Sequence, residues 1–123
     1  MVNLMAVANV GVNYIRESAE NARKQYGTGT IQSKEFGSTS CCGSIAVLHI
    51  DGNHDYDAVV LDSELWLPLV APDGWVIFDD YSWAHGDGPK KVGDHVLNKF
   101  TTSIQTSFVC DGALFIKFNS EKQ

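Results

Sequence analysis

Three aspartates carry most of the chemistry in this sequence of 123 residues: Asp51 follows the apolar run Ile45–Ile50, and Asp79 and Asp80 follow the apolar run 75–78. Carboxylates leaving the tips of two neighbouring strands, roughly 4.8 Å apart, converge on a shared point and make a cation site. Three hard oxygen donors with room for water or substrate oxygens suit Mg²⁺ or Ca²⁺ better than zinc, whose sites favour His and Cys. Consecutive strand residues point to opposite faces, so Asp79 and Asp80 reach one ion together only if the strand ends at Phe78. The Tyr81-Ser82-Trp83 and Gly86-Asp87-Gly88-Pro89 runs that follow agree with such an ending. The competing reading of the same residues is structural: Asp51 caps the segment after its strand, and Asp79-Asp80 mark a solvated strand end.

The elements that must position these acids are legible nearby. Both runs are apolar at every residue except His49, as strands covered on both faces require, and parallel sheets are built from such strands. His49 itself reads as a hydrogen-bonded core histidine. Between the runs, Tyr56–Trp66 offers Ala58, Val59, Val60, Leu61 and Leu65 as a wide apolar helix face, with Asp55 as N-cap. Pro68 then ends or kinks the helix before a Pro72-Asp73-Gly74 turn. This is a βαβ unit, and open parallel sheets take ligands in the crevice beyond the carboxyl ends of their strands.

Upstream, residues 4–12 have strand character with Gly11 near the end, 16–26 form a helix that stops at Gly27, 29–36 hold a short strand, and 37–44 form a loop. Downstream, 90–100 form a helix with Val92, Val96, Leu97 and Phe100 inward. Strands Ile104–Cys110 and Ala113–Phe118 then make a hairpin about Asp111-Gly112. The expected architecture is one α/β domain over 1–123: a Rossmann-like, open, mostly parallel sheet flanked by helices and closed by an antiparallel hairpin.

Composition narrows the function classes. Apolar residues make up 44% and aromatics 11%, which is globular rather than disordered. The balance of 9 Lys plus Arg against 15 Asp plus Glu lacks the basic stripe that nucleic-acid binders display. The apolar start is short for a membrane span and is interrupted by Asn3, Asn9 and Asn13, so no membrane contact is expected. Cys41, Cys42 and Cys110 cannot all pair within one chain, and they read as reduced thiols of a cytoplasmic protein.

HIDGNHDY (49–56), ELWLPLVAPDGW (64–75) and VIFDDY (76–81) together resemble the second half of class I S-adenosylmethionine-dependent methyltransferases, especially the metal-assisted O-methyltransferases of the macrocin and related sugar or phenol type. The resemblance covers 45–97 well. More loosely, VGVNYIRESAENARKQYG (10–27) resembles the family's second strand and the helix after it. It implies S-adenosylmethionine as cofactor, with Gly11 and Asn13 on the cofactor side, Asn13 standing where the family has a ribose-binding acid. It implies Asp51, Asp79 and Asp80 as ligands of Mg²⁺ or another divalent cation, which would hold two oxygens of a small hydroxylated substrate. His54 is then the group that removes the substrate proton, or else a polar loop residue.

The sequence also departs from that family. It holds no G-x-G-x-x-G, and it begins almost at the second strand of the arrangement, so the domain is expected to lack the glycine-loop segment. A gap in a buried sheet is costly, so the sheet is expected to close either by residues 4–12 moving beside Ile45–Ile50 or by pairing with a second copy in a homodimer. Three functions follow: a metal-assisted O-methyltransferase, a methyltransferase-like binding or assembly module without catalysis, and a different metal-dependent enzyme such as a hydrolase.

Overall fold

The computed structural model describes residues 13–15, 17–40, 44–51, 55–82 and 86–121. The chain divides into two compact units, 1–43 and 44–123. In the first, helix α1 (Ala19–Gly27) starts at Ser18, whose side chain accepts a hydrogen bond from the Asn21 amide. Strands β1 (Thr30–Ser33) and β2 (Gly37–Ser40) form an antiparallel hairpin running from Thr30 opposite Ser40 to Ser33 opposite Gly37. The expected loop over 37–44 is therefore a strand in its first half. Its residues, Gly-Ser-Thr-Ser, are exposed throughout, so no hydrophobic alternation announces them and backbone pairing alone defines the strand. The strand expected over 4–12 lies outside the described residues.

The second unit is α/β. Strand β3 (Ile45–Ile50) is followed by helix α2 (Tyr56–Trp66), a 3₁₀ turn at Leu67–Leu69 and strand β4 (Val70–Phe78). Helix α3 (Gly88–Lys99) and the hairpin of β5 (Ile104–Cys110) and β6 (Ala113–Phe118) complete it. The sheet runs β3-β4-β6-β5; β3 and β4 are parallel, and the two other pairs are antiparallel.

Strand β4 begins five residues earlier than the apolar run suggested. Pro72-Asp73-Gly74 is not a turn between elements but an irregularity inside the strand: Ile45 pairs with Val70, yet Val47 already pairs with Trp75. Asp73 takes a φ of 64° there. Gly74 is required by close approach, because a Cβ on it would lie 2.7 Å from the Ala71 carbonyl oxygen and 3.1 Å from that of Ala46.

The core forms on one face of this sheet. Ile50 of β3, Val76 and Phe78 of β4, and Leu114, Ile116 and Phe118 of β6 pack with Val59 of α2 and Val92 and Val96 of α3. Period-two alternation puts Val47, His49, Trp75 and Ile77 on the opposite face. There Val47 is 55% exposed. The expectation that Ile45–Ile50 is covered on both faces is corrected for the described residues: β3 stands at the end of their sheet and sets Leu48 and Ile50 against the core, while Ala46, Val47 and His49 are exposed. Both described helices of the unit lie on that side; on the other face Val47 and His49 are exposed, and Trp75 and Ile77 are half-buried, Trp75 against the Phe108 ring. No described helix is long and apolar enough to cross a membrane.

Candidate functional site

The site is built at the carboxyl ends of β3 and β4. Parallel register pairs His49 with Ile77 and Ile50 with Phe78. The Asp79 amide then donates to the Ile50 carbonyl at 3.1 Å, tying the two strand tips together. Ile50 and Phe78 turn inward as core residues, 7% and 0% exposed, so the residues flanking them turn the other way. His49, Asp51 and Asp79 consequently share one face. Donor atoms from these three side chains all lie within 4.8 Å of one another, and His49 Nε2 stands 3.8 Å from Asp79 Oδ1.

Of the three aspartates singled out in the sequence, the fold brings Asp51 and Asp79 into that group and places Asp80 outside it. The strand ends at Phe78, as joint use of both acids required. Asp80, however, takes a φ of 52° in the turn that follows, a conformation Asp tolerates better than most residues. His49 is a correction. It is not a core histidine, since its side chain is 49% exposed beside Asp79. The signal for it was present in the sequence: His49 has the parity of Asp51, two residues on, so strand alternation alone puts both on one face.

The donor set fits a divalent ion. Metal–ligand bonds of about 2.0–2.2 Å place neighbouring donors about 3.0–3.4 Å apart, so small side-chain torsions bring the observed 3.8 Å pair to bonding distance. The ion would sit on the exposed side of the strand tips, where substrate oxygens can complete its shell.

The turn after the acids is anchored to α3. Tyr81 donates its phenolic hydrogen to Asp94 Oδ1 at 2.5 Å, and Lys90 Nζ lies 3.2 Å from both Tyr81 Oη and Asp94 Oδ2. The Ser82 amide adds a bond to the Gly112 carbonyl at 3.0 Å. The Tyr81 hydrogen bond, seconded by Lys90 and opposed by burial, holds the Asp94 carboxyl below its ordinary 3.8. The same bond to Asp94, with burial, raises the Tyr81 phenol above 10.0, against a smaller lowering by Lys90.

A lowered folded-state pKa at Asp94 contributes stability above pH 3.8 that is lost as pH falls through the lower folded value. A raised value at Tyr81 contributes stability below pH 10.0 that is lost as pH rises through the higher folded value. Tyr81→Phe is therefore expected to flatten both limbs of a stability–pH profile measured by urea unfolding. Because the Asp94 side chain is 46% exposed, solvent screening holds the cost at neutral pH to about 1 kcal/mol or less. An unchanged acid limb would show that the Tyr81–Asp94 bond does not form.

Asn13, expected on the cofactor side, is committed within its own unit. Its Nδ2 donates to Thr39 Oγ1 at 2.7 Å, to the Gly37 carbonyl at 3.2 Å and to the Ile31 carbonyl at 3.4 Å. Its Oδ1 accepts from the Tyr14 amide at 2.8 Å and from Ser33 Oγ at 2.5 Å. Both amide ends thereby secure the β1–β2 hairpin. Gly11 and His54 lie outside the described residues, as does Trp83.

A cavity of about 340 Å³ lies not at the acids but between α2 and α3, over Val60, Leu67, Val92 and Val96. It is a groove in the helical layer on the core side of the sheet. Chemistry and cavity volume disagree here, and the strand tips are the better site because the convergent charged donors are there.

A family model described as a methyltransferase domain matches residues 6–81, which is 76 of the 123 positions. The matched segment takes in β3, α2 and β4 and ends at Tyr81, so it contains His49, Asp51, Asp79 and Asp80. No curated protein matches the chain.

Proposed function

The chain belongs to the methyltransferase-domain family, and from that premise we propose that it is an S-adenosylmethionine-dependent O-methyltransferase whose small hydroxylated substrate is held by a divalent cation at the tips of β3 and β4. The observation that carries this reading is the convergence of Asp51 and Asp79 on one face of two adjacent parallel strands, inside the matched segment. When bound, the cofactor supplies an electrophilic methyl group and the cation supplies positive charge that favours ionisation of the substrate hydroxyl.

The chain's own residues do the rest. Asp51 and Asp79 hold the cation from two strands, and the bond from the Asp79 amide to the Ile50 carbonyl keeps those strands in register. Tyr81, bonded to Asp94 and packed over Gly93 of α3, anchors the turn that follows the acids. Proton removal falls to His54 by the resemblance of HIDGNHDY to the metal-assisted enzymes.

A second reading, a methyltransferase-like binding module without catalysis, is favoured by one observation. The Asn13 amide is engaged at both ends within the hairpin, so it offers a cofactor hydroxyl no unspent donor or acceptor. Calorimetric titration of the full chain with S-adenosylmethionine, with and without a divalent ion, separates the two. The proposal expects cofactor binding that the ion strengthens when a catechol or sugar hydroxyl is present. Ion binding with no cofactor binding at millimolar concentration sinks the methyl-transfer reading and upholds the module.

A further inference from the structure

We infer that the third protein donor of the cation site is the imidazole of His49, not Asp80, and that the site therefore selects a borderline first-row cation of the Co²⁺ and Zn²⁺ class over Mg²⁺. This inference rests on the ion-assisted reading above and specifies its metal.

The argument begins with parity. In strands, residues two apart share a face, so β3 delivers His49 and Asp51 to the same side, and β4 delivers Ile77 and Asp79 to that side as well. Asp80 has the opposite parity and leaves the strand through a left-handed residue. The fold thus pairs one nitrogen with two carboxylates, and all three donors lie within 4.8 Å of one another.

Charge and softness then decide which ion is preferred. Mg²⁺ demands oxygen donors, keeps several waters and dehydrates reluctantly, so an imidazole adds little to its binding. Co²⁺, Ni²⁺ and Zn²⁺ take imidazole readily and stand well above Mg²⁺ for mixed N/O donors. A site of two Asp and one His carries a formal charge of −2 when the ring is neutral, enough to neutralise a divalent ion and leave positions open for substrate oxygens. His49 reaches this arrangement without refolding, because its ring is already exposed next to Asp79 at 3.8 Å.

The test uses the chain of 123 residues and three ions: Co²⁺, Zn²⁺ and Mg²⁺, each titrated calorimetrically into wild type, His49→Ala, Asp79→Asn and Asp80→Asn. Wild type is expected to bind Co²⁺ and Zn²⁺ at least about tenfold more tightly than Mg²⁺. His49→Ala should lower Co²⁺ and Zn²⁺ affinity about tenfold to a hundredfold while moving Mg²⁺ by less than about twofold, and Asp80→Asn should leave Co²⁺ within about twofold. A second readout is the proton spectrum of the Co²⁺ form, which should contain one strongly shifted, exchangeable imidazole N–H that His49→Ala removes.

Because His49 is exposed, its replacement leaves the core untouched, and circular dichroism should be unchanged. Wild-type Co²⁺ affinity in His49→Ala, or a loss in Asp80→Asn as large as in Asp79→Asn, overturns the inference and reduces the His49–Asp79 contact to a surface ion pair. Failure of wild type to bind any of the three ions overturns it too. An S-adenosylmethionine titration on the same samples keeps the two levels apart. His49-dependent Co²⁺ binding without cofactor binding upholds this assignment while sinking methyl transfer, and cofactor binding with His49-independent Co²⁺ affinity does the reverse.

Discussion

Phe78→Ala is expected to destabilise the unit formed by residues 44–123 by about 3–5 kcal/mol, the range for truncating a fully buried aromatic side chain. Phe78 is 0% exposed and sits in the core with Val59, Val76, Val92 and Ile116. The Ala variant leaves a cavity that neighbours fixed on a sheet and two helices can fill only in part. A small domain has about 5–15 kcal/mol in all, so this one change removes a large part of it. Urea unfolding is the measurement: the midpoint should drop by roughly 2 M with little change in slope. The same variant should weaken ion binding, because Phe78 pointing inward is what turns Asp79 outward. A loss below about 1 kcal/mol would mean that Phe78 is not at the centre of the core.

Asp79→Asn is expected to lower divalent-ion affinity at least a hundredfold, beyond the roughly 10–100-fold seen when only an outer partner of a ligand is removed. The substitution is nearly isosteric and exchanges a charged donor for a neutral amide. Without ion, stability should stay within about 0.5 kcal/mol of wild type, since the side chain is 35% exposed and its ion pair with His49 is a surface one. That contrast separates a ligand from a structural residue. Calorimetry with Co²⁺ and Mg²⁺, run beside urea unfolding of the ion-stripped protein, reads both quantities. Ion affinity within a factor of three of wild type would leave Asp51 and Asp79 as solvated strand ends, the capping alternative that their sequence context equally allows.

The two substitutions also distinguish positioning from chemistry. Phe78→Ala should act on stability first and on the ion second, whereas Asp79→Asn should act on the ion alone. Between them they test the claim that the site is a consequence of which residues the core withdraws from solvent.

Local pattern carried the second unit a long way. Ile45–Ile50, Tyr56–Trp66, Ile104–Cys110 and Ala113–Phe118 were legible with the bounds the fold gives them, because each is set by its own periodicity and by a Pro or Asp-Gly stop. The helix of the first unit was legible to within three residues. Strand β2 was not, since four small polar residues acquire extended structure from the backbone across the hairpin and from Asn13, neither of which shows in their own pattern. Nor was the early start of β4, where Pro72-Asp73-Gly74 has turn chemistry but Gly74 lets the strand stay against the Ala46 backbone.

What the sequence determined by itself was the inventory: which segments are extended or helical, and that acid stands at the end of two apolar strands within a methyltransferase-like segment. Tertiary structure alone decided that those strands are neighbours in parallel, that Asp79 therefore meets the His49–Asp51 pair, and that Val47 and His49 stand exposed. The reason is physical. Periodicity is a property of each segment, whereas facing depends on which side a helical layer covers, and that is fixed only when Ile50 and Phe78 are buried together and their odd-numbered neighbours are left outside.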